Sequence, residues 1–327
     1  MSKLVTIYGG SGFVGRYIAR RMAKEGWRVR VAVRRPNEAM HVKPYGVVGQ
    51  VEPVFCNIRD DASVRLVMKG ADAVVNCVGI LNELGRNKFD AVQHEGAERI
   101  ARIAAEEGVE ALVHLSAIGA DLQSDSDYSK SKALGEEGVL QYFPNAMILR
   151  PSVIFGQEDQ FFNRFAAMTR FGPVLPLIGG NTKFQPVYVD DVAQAAVKGV
   201  LGEAEPGVYE LGGPDVNTLH ALIDQMLGVI HRRRLVINKP FFVGSIIATV
   251  FDAIQAVTLG LISNGILTRD QLKNLRRDNV VSEGSKGFSD LGIQPTALEA
   301  VLPDYLWRFR PSGQYDAIKE SAKNLRT

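Results

Sequence analysis

Three residues in the first half of the chain have side chains that can share one piece of proton chemistry: Ser116, Tyr128 and Lys132. Tyr128 and Lys132 stand at i and i+4, which puts them on one face of a helix. An ammonium beside a phenol stabilises the phenolate and pulls a pKa of about 10 toward neutrality. Such a phenol exchanges a proton with a bound oxygen, and a serine hydroxyl can hold that oxygen beside it. The spacing of two residues alone says little. Its weight comes from Ser116 following Ala111-Leu112-Val113-His114-Leu115, an apolar run that reads as a strand.

The elements that must position this set begin at the start of the chain. Leu4-Val5-Thr6-Ile7 reads as a strand and Tyr17-Ile18-Ala19-Arg20-Arg21-Met22 as a helix. Between them lies Tyr8-Gly9-Gly10-Ser11-Gly12-Phe13-Val14-Gly15-Arg16. Strand, glycine turn and helix make the context in which a glycine pattern marks a dinucleotide site. Residues without Cβ let the backbone approach a pyrophosphate, and the helix N-terminus offers free N–H groups and partial positive charge. Gly9, Gly12 and Gly15 fit GxxGxxG, while Gly10, Gly12 and Gly15 fit GxGxxG; spacing does not choose between them.

Further strands read at Arg28–Val33, Val51–Phe55, Ala73–Val78 and Met147–Arg150, with Val51–Phe55, the third strand of the chain, near an edge because of Pro53. Helical stretches lie between, most clearly Asp90 to Glu107. This alternation predicts an α/β fold, a doubly wound parallel sheet whose ligands sit at the carboxyl ends of its strands. The polar residues do follow the strands. Arg34 and Arg35 stand where a site for unphosphorylated NAD usually places an acid, and Arg16 can join them. Guanidinium groups pair bidentately with phosphate, so the pattern favours NADPH and its 2′-phosphate. Asn57, Ile58, Arg59 and Asp60 follow the third strand, with side chains for an adenine edge or, for Asp60, a helix cap. Asn76 and Gly79 bracket the end of the fourth, where Gly79 lets the chain pass close to the cofactor's sugars or simply ends the strand.

Beyond residue 155 the pattern loosens. Phe161 to Phe171 is helical in period, Gly172 to Pro186 is a Gly/Pro-punctuated crossing, and Val187-Tyr188-Val189 reads as a strand with Asp190 or Asp191 capping the next helix. Val208–Leu211 is one more strand, and from Asp215 onward the chain reads as mainly helical. The expected organisation is a Rossmann domain over 1–212, with 160–182 contributed to the small lobe, and a smaller, mainly helical C-terminal lobe over 213–327.

Composition is that of an ordinary globular protein: 327 residues, 46% hydrophobic and 23% charged. A net charge of +2 implies no global field for nucleic acid or membrane. Cys56 and Cys77 lie in apolar runs and suggest neither a disulfide framework nor a metal site. The first strand starts within a few residues of Met1, so the expected setting is cytoplasmic, or a sequence in processed form.

With these residues in view, the chain resembles the extended or atypical branch of the short-chain dehydrogenase/reductase superfamily over roughly residues 3–215. Gly9, Gly12 and Gly15 match its glycine turn, Asn76 and Gly79 its fourth-strand motif, and Ser116, Tyr128 and Lys132 its catalytic set. Leu149-Arg150-Pro151-Ser152 and Tyr188-Val189-Asp190-Asp191-Val192-Ala193 match later landmarks. The resemblance implies NADPH binding through Gly9, Ser11, Gly12, Phe13, Val14, Gly15, Arg16, Arg34, Arg35, Asn57, Ile58, Gly79, Tyr128, Lys132 and Pro151. A narrower resemblance rests on residues 12–17, 114–120 and Leu267-Thr268-Arg269-Asp270-Gln271-Leu272-Lys273-Asn274 through Ser282. These look like the nucleotide-binding accessory subunit of respiratory complex I. That family implies a structural NADPH without turnover, partners in the peripheral arm and at the membrane-arm interface, and a peripheral place on the cytoplasmic face of a bacterial inner membrane, or the matrix side in a mitochondrion.

Two features bear on that choice independently. Asp121, Asp125 and Asp127 crowd the short loop before Tyr128 and would repel the phosphates of a nucleotide sugar, unless Asp125 or Asp127 caps the helix. Residues 240–268 hold the single charge Asp252 before the closing threonine, with Phe242, Ile246, Val250, Ile254, Val257 and Leu261 along one helical face and Ser245, Thr249 and Asp252 off it. Arg232, Arg233, Arg234 and Lys239 precede it. A cationic flank followed by an amphipathic apolar helix lies in a membrane interface or docks on a partner, and is a poor spanning helix; a helix pair closing the small lobe is the plainer alternative. The competing functional reading is a free NADPH-dependent reductase using Ser116, Tyr128 and Lys132.

Overall fold

The computed structural model describes residues 2–257, 268–311 and 313–315. Its strands are β1 (Leu4–Tyr8), β2 (Arg28–Val33), β3 (Val51–Phe55), β4 (Ala73–Asn76), β5 (Ala111–Leu115), β6 (Met147–Pro151), β7 (Ile154–Phe155), β8 (Val174–Ile178), β9 (Lys183–Phe184), β10 (Val187–Tyr188), β11 (Gly207–Leu211), β12 (Asn217–Thr218) and β13 (Leu235–Lys239). The helices are α1 (Phe13–Lys24), α2 (Asp61–Met68), α3 (Glu95–Glu106), α4 (Asp127–Tyr142), α5 (Phe162–Met168), α6 (Val189–Leu201), α7 (Leu219–Val229), α8 (Phe241–Val257), α9 (Arg269–Asn274) and α10 (Leu298–Leu306).

Seven strands form one sheet in the order β11-β6-β5-β4-β1-β2-β3, every pair parallel. This is the doubly wound sheet expected, with β3 at the edge. Strand order reverses between β1 and β4, and the crevice outside their carboxyl ends is where such a sheet takes its ligand. Because strand side chains alternate, β1 feeds both layers. Val5 and Ile7 face a core shared with Ile18 and Met22 of α1 and Val192 and Ala196 of α6, whereas Tyr8 faces Val64, Ile100 and Val139 under α2, α3 and α4. Its buried hydroxyl donates to Val64 O at 3.0 Å, and Thr6 Oγ1 to Val67 O at 3.0 Å, so neither polar group is stranded.

A third core, around Phe155, Phe162, Leu175, Leu222, Ile223 and Leu302, holds the small lobe together. The C-terminal segment also returns to the sheet: Phe288, Leu291 and Ile293 pack in the α1/α6 layer, and Lys286 pairs with Tyr209 on β11.

Several local expectations are corrected. The stretch 187–189 forms only the two-residue β10, paired with β7 outside the central sheet, and α6 already starts at Val189. Tyr188 therefore sits at the cap position, and neither Asp190 nor Asp191 caps. Asp190 instead grips Arg21 of α1 with two bonds of 2.8 Å, and Asp191 accepts from the backbone and hydroxyl of Thr296 at 2.6 and 3.0 Å. The 161–171 helix is shorter, ending at Met168. The 90–107 helix opens with a π-helical turn, Asp90–His94, before α3.

That π-turn meets α4 at very close range. A Cβ on Gly135 would overlap the carbonyl oxygen of Gln93, and one on Gly138 would stand 2.8 Å from Glu98 Cβ. Gly135→Ala must therefore push α4 outward, with an expected loss of about 1–3 kcal/mol and a thermal midpoint several degrees lower. Gly228→Ala, at an exposed position of α7 with nothing within 4 Å, should shift the midpoint slightly upward instead. Thermal unfolding of both variants followed by circular dichroism checks the pair of opposite signs.

Candidate functional site: a dinucleotide groove with a modified Ser–Tyr–Lys set

The glycine turn ends β1 at the reversal of strand order. Gly9 has φ +76°, a conformation that favours glycine, and a Cβ there would lie 3.2 Å from the carbonyl of Cys77. A Cβ on Gly15 would run into Gly9 O and stand 2.7 Å from Gly10 Cα. The positive φ favours glycine at Gly9, and a Cβ on Gly10 would be crowded as well, 3.0 Å from Ile7 O and Val31 Cγ1, so all four glycines have a local reason. Gly12 is the cap residue of α1, and the N–H groups of Phe13, Val14 and Gly15 in its first turn have no intrahelical acceptor. Ser11 lies in the same turn, its carbonyl accepting from Arg16 Nη2 at 3.1 Å.

Of the three arginines expected at the phosphates, the structure leaves one uncommitted. Arg16 is folded back on Gly12 O and Ser11 O and pairs with Glu158 at 3.2 Å. Arg35 pairs with Glu38 at 3.0 Å. Arg34 is exposed at the carboxyl end of β2, with no ion-pair partner among the described residues. At the next strand end, Asn57 Oδ1 accepts from Arg59 N at 3.3 Å, Ile58 is buried, and Asp60 caps α2 by accepting from Ala62 N at 3.3 Å. Cys56 and Cys77 are free thiols, both pushed up by burial, to about 11 and about 12, and so unreactive.

Tyr128 and Lys132 share a face of α4 as expected, but their electrostatics differ from expectation. Burial pushes the Tyr128 phenol up to about 12, and no cation among the described residues offsets it. Its ring stands edge-on to Phe89 with centroids 5.8 Å apart. Lys132 is buried and donates to Leu115 O at 3.0 Å. Desolvation lowers its pKa to about 8, against the opposing pull of Glu136 and Cys77. The expected lowering of the tyrosine is thus overturned: the ammonium is spent on a backbone carbonyl, and its own charge is the costly one.

Ser116 departs further. Its hydroxyl donates to Glu136 Oε1, and the same carboxylate accepts from Arg150 Nε at 2.9 Å and Nη2 at 2.6 Å. Arg150 also reaches Glu210 at 3.5 Å. A hydroxyl proton committed to a carboxylate in a charge-assisted bond is not offered to a bound carbonyl. The next residue, Ala117, has no polar side chain. Pro151 closes β6, its carbonyl accepting from Ile118 N at 3.0 Å. Glu136 was absent from the expected set, although its place four residues after Lys132 on the same helical face was a usable signal.

The start of α4 is held by residues that local reading missed. Neither Asp125 nor Asp127 caps it; Ser126 does, accepting from Ser129 N at 3.3 Å. The carboxylate of Asp270 in α9 adds three bonds, from Ser126 Oγ at 2.7 Å, Asp127 N at 2.8 Å and Tyr128 N at 3.1 Å. Asp121 pairs with Arg277 at 3.1 Å, so that acid of the loop is neutralised within the chain.

A sequence model of the NAD dependent epimerase/dehydratase family matches residues 5–212. The Arabidopsis thaliana protein named NADH dehydrogenase [ubiquinone] 1 alpha subcomplex subunit 9, mitochondrial, is 36% identical over 95% of this chain and 79% of its own length. The Neurospora crassa NADH-ubiquinone oxidoreductase 40 kDa subunit is 30% identical over 98% and 83%. The chain belongs to the subunit 9 branch of the epimerase/dehydratase family. Among solved structures, an Escherichia coli NADPH-dependent quinone oxidoreductase complexed with NADPH superposes with TM-score 0.67 at 15% identity, over 92% of this chain and 98% of that one.

This member of the subunit 9 branch has a groove that fits a nicotinamide dinucleotide. Cβ atoms would fill the cradle at Gly9, Gly12 and Gly15, the free N–H groups of α1 suit a pyrophosphate, and Gly79 is exposed beside Lys132 Nζ. Gln93 Oε1 is buried without a hydrogen-bond partner among the described residues, near the same point, while Gln93 Nε2 donates to Ser131 Oγ at 3.0 Å. Asn76 Nδ2 meets His114 Nδ1 at 3.1 Å, and burial holds that imidazole neutral, its pKa lowered to about 3.

The buried lysine makes a pH prediction. Unfolded, Lys132 titrates near 10.5; folded, near 8. Between those values the unfolded chain binds the extra proton, so this group makes stability rise with pH across the window. Denaturant midpoints from pH 7.5 to 10 should climb relative to Lys132→Met, which lacks the ionisation and is more stable than the parent at the low end.

Proposed function

We propose that this chain is a structural, NADPH-holding accessory subunit of a membrane-bound NADH:ubiquinone oxidoreductase, without turnover of its own. The observation that carries this reading is the Ser116–Glu136 bond, which leaves Tyr128 without a hydroxyl to orient a substrate oxygen, in a chain similar over nearly its whole length to subunits of that enzyme. The dinucleotide would rest on Gly9, Ser11, Gly12, Phe13, Val14 and Gly15, with its 2′-phosphate at Arg34 and its nicotinamide end near Gly79, Tyr128, Lys132 and Pro151. When bound, it supplies a hydride donor and the negative charge of its phosphates. The chain's own groups hold it: α1 neutralises pyrophosphate charge, Arg34 distinguishes the phosphorylated ribose, and Gln93 Oε1 accepts from a hydroxyl or amide. A ligand that binds only the folded chain stabilises it by mass action.

Helix α8 supports a peripheral placement. No described helix is long and apolar enough to cross a membrane. Phe242, Ile246 and Val250 are nonetheless 65%, 62% and 51% exposed along one face of α8. Ile254, Val257 and Leu261 of the same expected stripe fall outside the described side chains. The exposed stripe supports contact with the peripheral-arm and membrane-arm subunits or the adjoining bilayer surface on the cytoplasmic side, with Arg233 and Lys239 supplying exposed positive charge nearby.

Separation of gently solubilised native membranes by mass tests the reading: the chain should run with a very large NADH-oxidising assembly. Migration as a small free species would sink it, and steady-state NADPH oxidation by the purified chain, abolished by Tyr128→Phe, would establish the reductase instead. Arg34→Ala should weaken NADPH binding about tenfold to a hundredfold while leaving NADH binding unchanged, read by fluorescence titration of both nucleotides; equal losses would remove Arg34 from the phosphate.

A further inference from the structure

The segment 268–282 crosses the carboxyl ends of four central strands without belonging to the sheet. Gln271 Nε2 donates to Asn82 Oδ1 in the loop after β4 at 3.1 Å. Asp270 holds the start of α4 beyond β5, and Asn279 Oδ1 accepts from Ser152 Oγ at 2.7 Å and Val153 N at 3.0 Å beyond β6. Ser282 N donates to Glu210 of β11 at 2.8 Å. Two of these points lie beside residues assigned to the dinucleotide groove: Asn82 shares the loop of Gly79, and Asp270 holds the helix start at Tyr128.

The same segment also holds α8. Arg269 donates through its backbone to Asp252 at 3.3 Å and through Nε to Thr249 Oγ1 at 2.9 Å. Arg276 lies 5.4 Å from the ring of Phe241, and Leu272 stands within 3.0 Å of where a Gly244 Cβ would be. On the side of the loop after β4 the space is open, a cavity of about 520 Å³ reaching from Leu81 and Phe89 to Asp252 and Asp270. Among the described residues, α8 thus meets the groove side of the molecule through α9 rather than by packing on α4.

We infer that α9 is a mechanical link, with Asp270 as its positioning residue, by which occupancy of the dinucleotide groove sets the order of α8. This rests on the groove being a dinucleotide site. A nucleotide against Tyr128 and Lys132 fixes α4, α4 fixes the Asp270 carboxylate at its first turn, and α9 carries that constraint to Thr249 and Asp252. Linkage is reciprocal: whatever α8 docks on will tighten nucleotide binding by the same factor that the nucleotide tightens docking.

Hydrogen exchange of the full purified chain, with and without saturating NADPH, tests the link, after a fluorescence titration has established that NADPH binds. Amides of 241–252 should exchange at least about fivefold more slowly with nucleotide, the low end of ordinary coupling. Asp270→Asn should bind NADPH yet lose that protection in α8, whereas Arg277→Ala, which breaks the neighbouring Asp121 pair in the same segment, should keep it. Binding without any change in α8 of the parent chain overturns the link alone, whether or not the variants fold. Loss of the response in both variants also overturns it, because the segment would then act only as general scaffolding. Failure to bind NADPH removes the dinucleotide reading and the link together.

Discussion

One buried carboxylate governs the chemistry available at the carboxyl edge of the sheet. Glu136 lies buried on α4, where an unpaired carboxylate would be expensive, and its oxygens are held by two bonds from Arg150 and one from Ser116. Arg150 continues to Glu210, and Glu210 to Ser282 N. The network satisfies its members while fixing the serine proton in the wrong direction for acyl or carbonyl chemistry. Groups that resemble a catalytic set are in this way built into the support of the groove. Removing one of them would leave a buried charge or polar group unpaired, so such residues persist for packing reasons even where no substrate is turned over.

The strands of the parallel sheet and the presence of a glycine turn after the first of them could be read from sequence because both rest on local rules: short apolar runs, β-branched residues, and glycines between a strand and a helix. The strands 4–8, 28–33, 51–55, 111–115 and 147–151 follow those rules closely. The corrections concern contacts between residues far apart in sequence. Asp270 lies more than a hundred positions from the helix it helps to cap, and Thr296 similarly far from Asp191; nothing in the local pattern at Asp125, Asp127 or Asp190 distinguishes a cap from its neighbour. The electrostatic expectation for Tyr128 erred for a related reason. Spacing placed Lys132 on the right face, but only packing decides that its ammonium turns to Leu115 O.

The central sheet and the segment 268–282 use different means of cohesion. The sheet is covered on both faces by helices with aliphatic interiors, and its few buried polar side chains are mostly paired across strands or to helix carbonyls. The C-terminal segment 268–282 contributes little apolar surface; it is fastened by side-chain oxygens and amides to the loops that the sheet presents. Hydrogen bonds of that kind specify geometry closely while adding modest net stability each. The result is a rigid sheet whose upper edge is laced to a lobe by directional contacts.

Helix α8 is turned with its polar residues Thr249 and Asp252 toward Arg269 and with Phe242, Ile246 and Val250 outward. A solitary copy of this chain thus displays, from the moment it folds, the kind of surface that chaperones and proteases engage. Copies that find no site in a larger assembly would be short-lived, and the amount of this chain in a cell would follow the number of places waiting to cover that face rather than its own rate of synthesis.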